Sequence, residues 1–153
     1  MIRVEGLADS VAYRCGELQK LLADIGDFTV ERDPERTAAG WRYIRDVAPF
    51  HGRAGEVWRL SVTPSQAPEI VARLDGAEAV YDWGGGLVWV LVPDGTPVRA
   101  ALTGGHATLF RASAARRAEA GGFQPQPAPL AALEAGLRAK FDPKGILNPG
   151  LMG

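Results

Sequence analysis

A chain of 153 residues is long enough for one domain with a real core. Its 17 Lys and Arg against 18 Asp and Glu leave a net charge of −1, so there is no field for a polyanion and no case for nucleic acid as a partner. Cys15 is the only cysteine, which excludes an internal disulfide and any cysteine-based zinc or iron–sulfur site, and suits a cytoplasmic setting.

The sequence shows no signal peptide and no apolar run long enough to span a bilayer. It opens directly into Ile2–Gly6, which reads as a strand, and a chain that begins inside an element is expected to be part of something longer. Asp9 then caps a helix whose Val11, Leu18, Leu22 and Ile25 share a stripe, with Gly26 as its end. Phe28–Glu31 reads as a second brief strand. Pro34–Val47 reads as a helix carrying Trp41, Ile44 and Val47, weakened by Gly40. Residues 48–55 read as a loop.

Glu56–Val62 alternates, with Trp58, Leu60 and Val62 on one face and Val57, Arg59 and Ser61 on the other. Thr63, Pro64 and Gln66 predict a capping box opening a helix that points Ile70, Val71 and Leu74 inward and closes at Gly76. Glu78–Trp83 and Leu87–Val92 predict a hairpin about the turn Gly84-Gly85-Gly86; the second strand is apolar on both faces and belongs at the centre of its sheet. Thr96-Pro97 opens a short helix with Val98, Ala101 and Leu102 inside, and His106–Arg111 is the last strand. Ser113–Pro129 has little periodicity and reads as a loop or flap. Leu130, Leu133, Leu137 and Phe141 define a closing amphipathic helix. From Glu56 to Arg111 the order strand, helix, strand, strand, helix, strand is the split β-α-β layout. It predicts an α+β, ferredoxin-like domain: one mainly antiparallel sheet with helices packed mainly on one face.

The end of the chain is shaped rather than frayed. Asp142-Pro143 stops the helix, Gly145 supplies a turn, Asn148-Pro149-Gly150 makes a second break, and Ile146 and Leu147 between them can anchor the segment.

Phe141-Asp142-Pro143-Lys144-Gly145-Ile146-Leu147-Asn148-Pro149-Gly150 resembles the C-terminal signature of FAD-linked oxidases of the vanillyl-alcohol-oxidase type. Val11-Ala12-Tyr13-Arg14, Trp58–Val62, Asp82–Trp89 and Gly105–Ala112 sharpen it: together they resemble the family of FAD-binding subunits of glycolate oxidase. The matches spread over most of the chain. The resemblance implies part of a flavin-dependent complex that oxidises glycolate, a 2-hydroxy acid, to glyoxylate. It also implies, as partners, a second flavin subunit and an iron–sulfur subunit at the inner face of the membrane. The family's N-terminal FAD-binding domain has no counterpart here, and Gly84-Gly85-Gly86, with no helix after it, reads as a hairpin turn and not as a phosphate loop. The whole chain, 1–153, is therefore expected to be the C-terminal, cap-side domain. FAD is then the cofactor of the full subunit and is not bound to this piece, which is inactive alone. The strand order by itself equally fits a free-standing ferredoxin-like small-molecule-binding or regulatory module.

Arg59 faces away from Trp58 and Leu60; its guanidinium can hold a carboxylate or phosphate of the cofactor side, or serve an ordinary salt bridge. Asn148 and Gly150 are the other candidate contacts to the cofactor domain. His106, at a strand start after two glycines, and Arg111, at the strand's end, are candidate substrate contacts, against the alternatives of a carbonyl hydrogen bond and an ion pair. Trp83 and Trp89 flank the hairpin and either stack on a flavin or pack the core or an interface. Asp82 is a candidate partner for Arg59 or Arg111. No catalytic residue is assigned, and His51 and His106 without a spaced carboxylate make no metal site.

Overall fold

A computed structural model of the chain describes residues 1–148; Gly150 lies outside them. The chain divides into two units, Met1–Arg42 and Tyr43–Gly153.

The first unit is helical. It holds α1 (Ala8–Leu21) and the start of α2 (Pro34–Arg45), and neither helix buries a residue. Asp9 does not cap α1. Leu7 occupies that position without a side-chain bond, and Asp9 stands in the first turn, where a negative charge still suits the helix end. Asp33 does cap α2: its Oδ1 accepts from Arg36 N at 2.8 Å. Segments 2–6 and 28–31 are not strands. The described residues form a single sheet and neither segment belongs to it, so the ladder that would hold them extended is missing. Side chains serve their backbones instead: Arg14 Nη2 donates to the Glu5 carbonyl at 2.5 Å and Gln19 Nε2 to the Phe28 carbonyl at 3.0 Å.

The second unit is built on β1 (Glu56–Ser61), β2 (Glu78–Asp82), β3 (Leu87–Val92) and β4 (His106–Arg111). They form one sheet in the order β2-β3-β1-β4, every neighbouring pair antiparallel. The α+β class and the antiparallel sheet are as expected. β3 lies inside the sheet, as its two apolar faces require, and pairs with β2 in the expected hairpin.

One face carries the core. Trp58 and Leu60 of β1, Val88, Val90 and Val92 of β3, and Ala107 and Leu109 of β4 pack with Ile70 and Leu74 and with Val98 and Ala101. Ile70 belongs to α3 (Ala67–Ala72) and is 1% exposed; burying such a side chain contributes roughly 2–3 kcal/mol. The capping box ahead of α3 does not form. Thr63 makes no side-chain bond to the helix, and Gln66 N bonds the Thr63 carbonyl at 2.9 Å in a 3-10 turn, Pro64–Gln66. The second crossover, expected as a helix, is likewise a 3-10 turn, Val98–Ala101, yet it still delivers Val98 and Ala101 to the core.

Ser113–Pro129 is more ordered than its composition suggested. It contains α4 (Ala114–Ala120), capped by Ser113 Oγ accepting from Arg116 N at 3.1 Å. The chain then returns along the free edge of β4: Leu109 N donates to Gly122 O at 2.7 Å and Ala107 N to Gln124 Oε1 at 2.9 Å. That cover removes an edge open to stray pairing.

α5 (Ala128–Phe141) follows the expected stripe but does not bury it: Leu130, Leu133, Leu137 and Phe141 are all at least half exposed. After it, Asp142 does more than break the helix. Its Oδ1 accepts from Ile146 N and its Oδ2 from Leu147 N, both at 2.9 Å, and Gly145 turns with φ 61°. Ile146 and Leu147 themselves stay exposed.

Candidate functional site

The second face of the sheet is only partly covered, with Val57, Leu87 and Leu91 buried and the others half-buried or exposed, and strand register places the chemistry-bearing residues on it in three cross-strand rows. Glu78, Leu91, Val57 and Arg111 make one row. Val80, Trp89, Arg59 and Thr108 make the middle row, and Asp82, Leu87, Ser61 and His106 the third. Arg59, Arg111 and His106, picked out separately along the sequence, thus share one face, with Arg59 in the middle.

A β-bulge adjusts the first row. Between Val57 and Trp58 the pairing with β4 slips from Arg111 to Leu109, leaving Phe110 without an opposite residue. Phe110 and Arg111 both reach the open face; the Phe110 ring meets Trp89 edge-on, centroids 5.0 Å apart. At that end the 3-10 turn Ala48–Phe50 lays Val47 and Phe50 over Val57 and Leu91. Between this cover and the exposed remainder lies a groove of about 800 Å³, lined by Val47, Phe50, His51, Arg59, Trp89, Phe110 and Arg111 among others.

Arg111 is committed within the groove wall. Its Nη1 donates to the Phe50 carbonyl at 2.6 Å and its Nη2 to the Arg53 carbonyl at 2.8 Å, pinning the 48–53 segment to β4. Arg59 is different. Its guanidinium carbon lies 5.7 Å from the Trp83 ring centroid, and no carboxylate pairs with it among the described residues. The expected Asp82 partnership with either arginine does not form, because Asp82 Oδ1 accepts from Trp83 N at 2.7 Å. That bond holds Trp83 at φ 51°, an uncommon conformation for a bulky residue. Val47, on the groove wall, also has φ 51°, which a β-branched residue rarely adopts.

His106 is exposed at the far row and lies outside the groove. Asn148, with φ 47°, lines a smaller cavity of about 300 Å³ with Phe110, Phe123 and Arg117, on the other side of Phe110. The structure therefore brings Arg59, Trp89, Phe110 and Arg111 to one groove and leaves His106 and Asn148 beside it. Gly84-Gly85-Gly86 offers no pyrophosphate cradle: Trp83–Gly85 is a 3-10 turn packed against Pro64, with β3 and not a helix after it. This turn does not fit the phosphates of a dinucleotide.

What holds this face in place was largely missed in the sequence. Glu56 is fully buried, and its carboxylate accepts from Trp58 Nε1 at 2.9 Å, Gly95 N at 2.8 Å and Arg116 Nε at 2.8 Å. Arg99 stacks 5.0 Å from the Trp58 ring and donates to the carbonyls of Ala107, Ala120, Gly121 and Gly122. Burial, and then the charge of Arg116, push its ionisation below the usual arginine value. Arg117 donates to the carbonyls of Leu109 and Phe110 at 3.1 and 2.9 Å, which fixes the bulge. Glu56 had a readable signal, since it is in phase with Trp58 and Leu60. Arg99 and Arg117 had none, because their partners are backbone carbonyls, which any residue type offers.

Fold and site together define an α+β domain whose chemistry-bearing residues gather on an open sheet face. Over 116 residues, 73% of this chain, it is 40% identical to glycolate oxidase subunit GlcE of Escherichia coli (strain K12). It is homologous to part of that subunit, and spans about 30% of its length. No family model and no solved structure matches the chain. No helix among the described residues is long and apolar enough to cross a membrane.

Proposed function

We propose that the chain is the C-terminal, cap-side domain of a flavin-dependent glycolate (2-hydroxy acid) oxidase subunit, inactive by itself. The observation that carries this reading is the 40% identity to GlcE, the name of which makes it a subunit of a glycolate oxidase. The domain contributes a substrate-side surface and a subunit contact, and the open sheet face is the surface turned toward the flavin-binding half. FAD belongs to the full subunit and is held by that other half, in keeping with the turn geometry of Gly84–Gly86. Arg59 and the Asn148–Gly150 tail meet the cofactor domain in this reading, and His106 and Arg111 lie toward the substrate. The partners are the N-terminal FAD-binding domain, a second flavin subunit and an iron–sulfur subunit, at the cytoplasmic side of the membrane. The order β2-β3-β1-β4 supports a ferredoxin-like topology with its second helix reduced to a 3-10 turn.

Absorbance tests the assignment. The purified chain is expected to be colourless, and the reading frame that holds it, expressed with its neighbours, to carry a flavin that glycolate bleaches. Stoichiometric flavin on this chain alone, or no glycolate-dependent bleaching in the assembled complex, contradicts it. A second reading, a ferredoxin-like small-molecule-binding or regulatory module, draws on the groove around Arg59. It predicts ligand binding with no flavin partner at all.

A further inference from the structure

We infer that the groove on the open sheet face is a binding site for a small flat organic carboxylate, with the carboxylate on Arg59 and the ring against Trp89 and Phe110. Every group it uses is in the chain itself, so the site is tested on this chain alone, where the flavin-binding half of the proposed function does not compete for Arg59.

Charge comes first. Arg59 lies in the middle row, directly across from Trp89 on β3 and Thr108 on β4. It is half-buried and has no carboxylate partner among the described residues, although Arg116 and Arg53 each have one. The cation–π contact with Trp83 uses none of its N–H donors, and the guanidinium donates no hydrogen bond among the described residues. A free planar fork of donors beside low-dielectric walls is matched by a carboxylate, which accepts two parallel bonds from it.

Shape comes second. Trp89 and Phe110 meet edge-on, and Phe110 remains 61% exposed. Alternation from Leu109 already turns Phe110 to this face; the bulge adds Arg111 beside it, and Arg117 holds the carbonyls of Leu109 and Phe110. An edge-to-face pair with Phe110 exposed and Trp89 half-buried offers a flat ring a place to stack, and the groove volume is that of a small-molecule site. Val47 and Trp83 are two of the three non-glycine residues with positive φ among the described residues. One forms the groove wall and the other supports Arg59. Backbone strain of this kind persists where a particular side-chain placement is being held.

The test titrates the 153-residue chain with three compounds, read by calorimetry and by amide and indole NMR shifts. 2-Naphthoate has ring and charge, 2-naphthalenemethanol has the ring alone, and acetate has the charge alone. Naphthoate is expected to bind saturably, shifting the signals of Arg59 and Trp89, with the other two at least about tenfold weaker. Arg59→Gln should weaken naphthoate about tenfold or more, and Arg59→Lys less, because an ammonium lacks the fork. Phe110→Ala, at an exposed position that leaves the core intact, should weaken naphthoate without changing acetate. The inference is overturned if naphthoate fails to saturate at millimolar concentration, or if the neutral alcohol binds as well. It is also overturned if both a folded Arg59→Gln chain and Phe110→Ala bind as the unaltered chain does, or if the shifts map away from the groove.

Discussion

Glu56 is a carboxylate with no exposed surface, and three donors from three parts of the second unit converge on it. Removing it leaves Arg116 with only Glu119 and the Thr96 carbonyl, and leaves the Trp58 indole N–H and the Gly95 amide without their acceptor. Leaving these two donors unsatisfied typically costs about 2–6 kcal/mol together. Glu56→Ala is therefore expected to lose about that much in chemical denaturation; a loss within about 1 kcal/mol would show that Glu56 is not the keystone of this network. Asp142 acts at the surface through a different balance. Amide bonds from Leu147, then Ile146, hold its carboxyl below the ordinary value of 3.8, with smaller help from Gly145 and Arg138. Because the pKa is lowered in the folded turn, the turn's stabilisation is complete above 3.8 and fades as pH falls through the lower, folded value. The Ile146 and Leu147 amide signals are expected to titrate with a midpoint under 3.8, and Asp142→Asn to abolish that titration. A midpoint above 3.8 would mean that the two bonds are not made in solution.

At the level of elements, the sheet and the terminal helix respond oppositely to the same kind of change. Leu60 is fully buried in β1, so Leu60→Ala is expected to cost about 2–5 kcal/mol by thermal or chemical denaturation. Leu133 lies on the apolar stripe of α5 but is 62% exposed, so Leu133→Ser is expected to stay within about 0.5 kcal/mol. A large loss at Leu133 would mean that the stripe is packed in the folded chain. This contrast marks what the sequence made legible. Alternation located β1, two apolar faces located β3 at the centre, and a three-glycine turn between strands located the hairpin; each is a local signal answered locally. Ile2–Gly6 and Phe28–Glu31 misled for the complementary reason, since β-propensity describes a fit to neighbours and neither segment has a neighbouring strand. α4 was hidden in a stretch that looked irregular, although Ser113 before Ala-Ala-Arg-Arg-Ala-Glu-Ala is a cap followed by strong helix formers. Arg59 and His106 could be chosen by residue type and strand phase, and Arg111 by type alone, since alternation would have turned it to the core face. The groove could not, because it depends on a bulge at Phe110 and on a turn that folds Phe50 over Val57.

For the molecule as a whole, the covered face of the sheet accounts for the core of the second unit, and the other face carries the proposed groove. The covered face holds nearly every fully buried side chain. The other face carries an arginine with no carboxylate partner among the described residues, the Trp89–Phe110 pair with Phe110 exposed, and the remaining charged strand positions. Homology to part of GlcE gives that division a setting: a domain can keep its own core and still lack the groups for a reaction. The most direct measurement is a chimera in which the region of Escherichia coli GlcE matched over 116 residues is replaced by the corresponding residues of this chain. Glycolate oxidation is then assayed in the assembled enzyme. The account predicts that the chimera assembles, retains its flavin and oxidises glycolate at a rate within about tenfold of the parent. An assembled, flavin-loaded chimera that does not oxidise glycolate would contradict it.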